Sequence, residues 1–222
     1  MKILSRCLII LLIPFYALSA CAAENFVEGK EYTKLANPQP TSSSDRIEVV
    51  ELFWYGCPHC YHLEPFMENW LKSKPDDVEF VRMPAILGGG WELLAKGYYT
   101  AELLGVLDKT HRALFDSIHE QNNKIKNEDI LRAFFMQQGV SAADFNKTFN
   151  SFAVAVKVNN ARLMTRRYAI TGVPTLIVNG KYSTGPSMVT NGNEGVMAVV
   201  DYLVELERLA TAEPATASAA PQ

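Results

Sequence analysis

Cysteine is scarce in this chain, with four in 222 residues. Cys7 and Cys21 lie in the N-terminal segment, so Cys57 and Cys60 alone are left for the folded body. No disulfide framework can hold such a fold together. Histidine is just as sparse: His59, His62, His111 and His119 are all there are. A structural zinc site normally needs four ligands, and there is no second Cys-x-x-Cys to supply them. The chain has no long basic run and a net charge of −3, so nothing in it points to nucleic acid. It also lacks an apolar run long enough to span a bilayer. The N-terminal stretch Cys7 to Leu18 is too short to do so comfortably.

That N-terminal stretch has another reading. Lys2 and Arg6 give a positive start, the apolar run follows, and Ser19-Ala20-Cys21-Ala22-Ala23 supplies small residues. Residues 1–22 read as a secretory signal peptide outside the fold. Two cleavage readings compete. Ala20-Cys21-Ala22 fits an ordinary A-x-A site, whereas Leu18-Ser19-Ala20-Cys21 resembles a bacterial lipobox that would make Cys21 a lipid-bearing N-terminus. Loss of Lys2 and Arg6 takes the formal charge from −3 to −5. Either way the destination is a compartment where disulfides persist. An exported chain with one close cysteine pair and no other bridge is suited to handling the disulfides of other proteins.

The pair sits in Glu51-Leu-Phe-Trp-Tyr-Gly-Cys57-Pro-His-Cys60-Tyr61. This reads as a buried strand leading into a helix, with Cys57 at the helix N-terminus. Pro58 suits the first helical position because its missing N–H would be unpaired there anyway. The free N–H groups of that turn and the helix dipole favour a thiolate, the reactive form of cysteine. A Cys-x-x-Cys beside β/α patterning reads as a thioredoxin-like redox motif. The competing readings are a metal module built on Cys57, Cys60 and His59 or His62, and a structural staple. A staple, however, usually closes a longer loop.

Along the chain, a short strand is expected around Tyr32–Leu35 and a buried one over Ile47–Phe53, with Glu51 as an acid inside an apolar run. A helix from Cys57 to about Ser73 contains Pro65, so a kink is expected there. Val78–Met83 is a further strand. After Gly88-Gly89-Gly90 the period turns helical, with helices expected near 91–104, 108–120, 128–138, 142–150 and 152–168. The β pattern returns at Gly172–Val178, followed by Asn179-Gly180, a strong hairpin turn signal, and a partner strand from Lys181. An amphipathic helix over Asn193 to about Leu209 follows. The expected organisation is a first α/β half over 24–87, a helical insertion over 88–168, a second half over 169–210 and a disordered tail over 211–222.

The order, the Cys-Pro-His-Cys motif, the position of the insertion and Gly172-Val173-Pro174 before Val178-Asn-Gly-Lys-Tyr182 resemble the DsbA family of periplasmic thiol:disulfide oxidoreductases. The resemblance covers nearly the whole mature chain, from Gly29 to the C-terminal helix. It implies an α/β thioredoxin-like fold, with the helical domain inserted between the Cys-x-x-Cys half and the cis-proline hairpin half. It implies that Cys57 is the exposed nucleophile and Cys60 the buried partner of a redox-active disulfide. Pro58 and His59 would tune the thiolate. Val173 and Pro174 would carry the cis-proline that faces the site. Glu51, Glu64 and Arg82 would form a buried charge group near the cysteines, with arginine where the family more commonly has lysine. The implied activity is a dithiol oxidase in the periplasm, needing no cofactor and no metal. It would act on unfolded exported proteins and be reoxidised by a DsbB-type membrane quinone reductase. The alternative within enzymes is a reductase or isomerase, although no dimerisation domain is present.

Overall fold

The computed structural model describes residues 26–212. The expected leader, Cys21 and nearly all of the expected tail lie outside the described residues. A five-stranded sheet has the order β1-β5-β4-β2-β3. Its strands are β1 (Thr33–Lys34), β2 (Ile47–Phe53), β3 (Val78–Pro84), β4 (Thr175–Val178) and β5 (Tyr182–Thr184). The central strand β2 runs parallel to β3 and antiparallel to β4. Its period-2 alternation sends neighbouring residues to opposite faces. Val49 joins Leu63, Met67, Val200 and Leu203 in one core, whereas Val50 and Leu52 join Tyr168, Ile170 and Ile177 in another. Glu51 lies two residues from Val49 and so shares its face, on the side covered by helix α1 (Pro58–Ser73).

Helix α7 (Gly192–Ala212) packs beside α1 on that face. It runs past Leu209 and takes in Thr211 and Ala212, where the tail was expected to begin. The helical block between β3 and β4 consists of α2 (Glu92–Leu103), α3 (Leu107–His119), α4 (Glu128–Gln137), α5 (Ala142–Phe149) and α6 (Phe152–Arg167). The stretch Gly89–Trp91 is a single 3-10 turn rather than the start of α2. Local chemistry sets these boundaries. The side chains of Asn127, Ser141 and Ser151 accept from the N–H groups of Ile130, Asp144 and Val154, at 3.0, 3.0 and 3.3 Å. α1 continues through Pro65 without a break. The β4–β5 turn has Asn179 at φ 50° and Gly180 at φ 63°, the two positive values of a type I′ hairpin.

The helical block does not have a separate core. Phe115, Leu131, Phe135, Phe145 and Phe149 are continuous with Phe53, Tyr55, Cys57 and Cys60 at the end of β2. The insertion therefore closes over the C-terminal end of the central strand, and the cysteines lie at that junction. This is a thioredoxin-like fold with an inserted helical domain.

Candidate active site

Cys57 is the N-cap of α1, in extended conformation at φ −90°, ψ 118°, with Pro58 at the first helical position. Its N–H donates to the Trp54 carbonyl at 2.9 Å, and its own carbonyl accepts from Tyr61 N–H at 3.1 Å. Cys60, one turn on, is fully buried, while Cys57 keeps 9% exposure beside exposed Pro58 and His59. Both are free thiols. Gly56 has a specific reason to be glycine: a Cβ there would run into the Trp54 indole. That indole stacks on Trp91, with centroids 4.4 Å apart and planes at 16°.

The two sulfurs are held in opposite states. A hydrogen bond from the Cys60 thiol brings the Cys57 pKa down to about 6. Burial opposes this, and the N–H groups of Cys60 and His59 and the charge of His59 add to the lowering. Neither N–H closes on Sγ with the geometry of a full cap bond, so they act as nearby dipoles. Burial pushes the Cys60 thiol far up, with the hydrogen bond to Cys57 and the Cys57 charge adding to it. Cys57 Sγ lies 3.4 Å from the Val173 carbonyl, across 116 residues of sequence. The Val173–Pro174 bond is cis. Beside it a groove of about 700 Å3 runs from His59 past Thr171, Pro174 and Gly185 to Met188. The groove walls mix threonines and backbone with apolar side chains, so it is less apolar than a simple hydrophobic slot.

Beneath the cysteines lies a charged group. Glu51 and Arg82 stand directly opposite each other on β2 and β3. Arg82 Nε donates to Glu51 Oε2 at 3.1 Å, and its Nη2 donates to Glu64 Oε2 at 2.9 Å. Both carboxylates are completely buried, and Glu51 Oε1 has no partner among the described residues. One arginine does not fully offset two buried acids. Burial, with Glu64 alongside, raises Glu51 to about 7; burial, partly offset by Arg82, raises Glu64 to about 7. The sequence reading had Glu51, Glu64 and Arg82 but missed His111 and Tyr55. His111 Nε2 is 3.1 Å from Glu64 Oε1, and its Nδ1 is 2.8 Å from the Tyr55 hydroxyl. A signal was available, because His111 interrupts the apolar stripe Leu107, Leu114, Phe115 and Ile118 at helical spacing. Among the described residues no three His, Cys, Asp or Glu side chains are grouped to hold a metal ion. No described helix is long and apolar enough to cross a membrane.

A family model for the DSBA-like thioredoxin domain matches residues 48–204. The thiol:disulfide interchange protein DsbA of Pseudomonas aeruginosa PAO1 is 41% identical over 191 residues, covering 86% of this chain and 90% of the relative. That of Pseudomonas syringae pv. tomato is 41% identical over 195 residues, covering 88% and 91%. The crystal structure of Pseudomonas aeruginosa DsbA matches with a TM-score of 0.81 at 41% identity, over 85% of this chain and 97% of that one. NmDsbA1 of Neisseria meningitidis matches at 0.74 with 28% identity, over 83% and 95%. Fold and cysteine pair together define a thiol:disulfide oxidoreductase of thioredoxin fold. Within that class, the chain belongs to the DsbA family of thiol:disulfide interchange proteins.

Proposed function

We propose that this protein runs its interchange as a dithiol oxidase, donating a Cys57–Cys60 disulfide to unfolded exported proteins in the periplasm. The observation that carries the reading is the asymmetry of the pair. One sulfur sits at the helix N-terminus and reaches the surface, while its partner is sealed in the core. A substrate thiolate attacks Cys57 Sγ, the S–S bond breaks, and Cys60 leaves with the electron pair and takes a proton. A second substrate thiolate then attacks the substrate sulfur of the mixed disulfide, and Cys57 leaves as a thiolate. A good leaving group has a low pKa, and Cys57 meets that requirement. His59 adds positive character at the mouth. Val173 and Pro174 form the wall against which the substrate backbone lies, and proline keeps that wall free of an N–H. Glu51 and Glu64, held by Arg82, supply the Cys60 proton and take it back when the disulfide is remade. The reoxidant is a membrane quinone reductase of the DsbB type. Cys21 is the point of attachment if the leader is cut at the lipobox, and mass spectrometry of the mature N-terminus distinguishes the two cleavage sites.

The test is the reduction potential against glutathione, together with trapping. Cys60→Ser should accumulate mixed disulfides with reduced substrate, and Cys57→Ser should form none. A potential as low as that of a cytosolic thioredoxin, about −270 mV, would mark a reductase and overturn the oxidase reading.

A further inference from the structure

His111 comes from the helical insertion, yet it hydrogen-bonds into the group beneath the cysteines. A buried polar ring needs partners at both nitrogens, and this one has them in Tyr55 and Glu64. Phe53, Phe115 and Tyr98 present edges to it at 5.3, 5.3 and 6.1 Å, which fixes the ring plane. Burial, with Arg82 nearby, brings its pKa down to about 3, so it is neutral, with one donor and one acceptor nitrogen. With Glu64 ionised, Nε2–H donates to Glu64 and the Tyr55 hydroxyl donates to Nδ1. With Glu64 protonated, its hydroxyl donates to Nε2, and Nδ1–H donates to the Tyr55 oxygen. The ring serves both states by changing tautomer without moving. The two states are not equal, because in the second the Tyr55 proton loses its acceptor. The pair therefore favours ionised Glu64, against the effect of burial.

We propose that His111 is a positioning residue for thiol–disulfide exchange, acting with Tyr55 through Glu64 to set the protonation of the carboxylates beneath Cys60. This rests on the reading that those carboxylates exchange a proton with Cys60. When the disulfide is remade, the Cys60 thiol gives its proton to the carboxylates. The Cys60 sulfur attacks Cys57 Sγ of the mixed disulfide, and the bond from Cys57 to the partner sulfur breaks, its electron pair leaving with that sulfur. A cavity of about 300 Å3, lined by His111, Arg82, Glu68 and Tyr98 among others, adjoins the ring. The ionisable groups around His111 are Glu51 on β2, Tyr55 after it, Glu64 and Glu68 on α1, Arg82 on β3 and Tyr98 on α2. Asp108 and Arg112 lie on its own helix and line the same cavity. Among the described residues, only Tyr55 and Glu64 hydrogen-bond to the ring.

The experiment mixes reduced protein with saturating glutathione disulfide and follows the unimolecular closure of Cys57–Cys60 by acid quench, alkylation and mass spectrometry from pH 5 to 9. His111→Phe keeps an aromatic ring in the space and removes both hydrogen bonds. Its closure profile should move to higher pH by roughly half to one unit, making closure about three- to tenfold slower below the midpoint. Tyr55→Phe, a second variant should the first fail to fold, should move it the same way by less. The Cys57 thiolate titration, read by ultraviolet absorbance, should stay in place, because its causes lie in Cys60, His59 and the helix turn. Glu51→Gln separates the two layers of the reading. A profile moved by Glu51→Gln but by neither Tyr55→Phe nor His111→Phe overturns the assignment of His111 alone. A profile moved by none of the three overturns the carboxylate relay and the assignment with it. A Cys57 titration that shifts as far as closure reveals general damage and also overturns it.

Discussion

Reduction should change the stability of this protein in a way that depends steeply on pH. The Cys57 thiol sits at about 6 in the folded protein, against about 8.5 in an unfolded chain. A depressed pKa contributes stability that is fully present above the unfolded value and is lost as pH falls through the folded one. For the reduced form this amounts to about 3 kcal/mol at pH 9, about 1.4 kcal/mol at pH 7 and almost nothing at pH 5. The oxidised form has no such thiol and instead gains about 2 kcal/mol from closing a four-residue loop, at any pH. The two forms should therefore be equally stable near pH 7.5, with the oxidised form ahead below and the reduced form ahead above. The buried carboxylates also titrate in this window, but they are present in both forms and largely cancel in the difference. The assay is paired urea melts of oxidised and reduced protein from pH 5 to 9. The raised Cys60 thiol takes back about 0.8 kcal/mol of the Cys57 contribution at pH 9, so with a slope of about 2 kcal/mol per molar urea the gap between midpoints should swing by about 1.2 M. Cys57→Ala should share the pH dependence of the oxidised protein but lie below it by the loop-closure contribution of about 2 kcal/mol. A gap that stays constant over this range would refute the reasoning, since it would mean that no Cys57 thiolate is stabilised by folding.

Three further outcomes follow from the same structure. At pH 7 the reduced protein should alkylate at Cys57 before Cys60, because about ten Cys57 sulfurs are ionised for each that is not, and peptide mapping after brief iodoacetamide treatment checks the order. Glu51 is raised to about 7, so its contribution is present below the ordinary carboxylate range and lost as pH rises through 7. Glu51→Gln should flatten the fall in stability of the oxidised form between pH 5 and 8, worth up to about 3 kcal/mol, and a melt series identical to wild type would contradict this. Gly180→Ala places a side chain at φ 63° against the Gln39 carbonyl, and thermal or urea melts should record a loss of more than about 1 kcal/mol.

The pair Cys57 and Cys60, the buried strand before it and the order of elements were all legible in the sequence, because each depends on spacing along one segment. The Asn179-Gly180 turn and the caps at Asn127 and Ser141 were legible for the same reason. The insertion as a common core was not. Whether Phe115 and Leu131 pack among themselves or against Phe53 depends on how distant segments meet, and periodicity reports only that they are buried. Glu51 stood out as an acid in an apolar run, but its role needs the register that puts Arg82 opposite and the helix that brings Glu64 across. His111 is the sharpest case. Its place on an apolar stripe was visible, yet its two partners belong to α1 and to the loop after β2.

The separation of 116 positions between Cys57 and Val173 also bears on how the protein comes into being. Synthesis proceeds from the N-terminus, so the Cys-x-x-Cys helix emerges long before the loop that walls it. Until then the groove beside His59 has no far side, and β2 lacks its antiparallel neighbour β4. An incomplete chain presents two cysteines without the cis-proline loop beside them, so the surroundings of Cys57 are completed only when the last strands are in place.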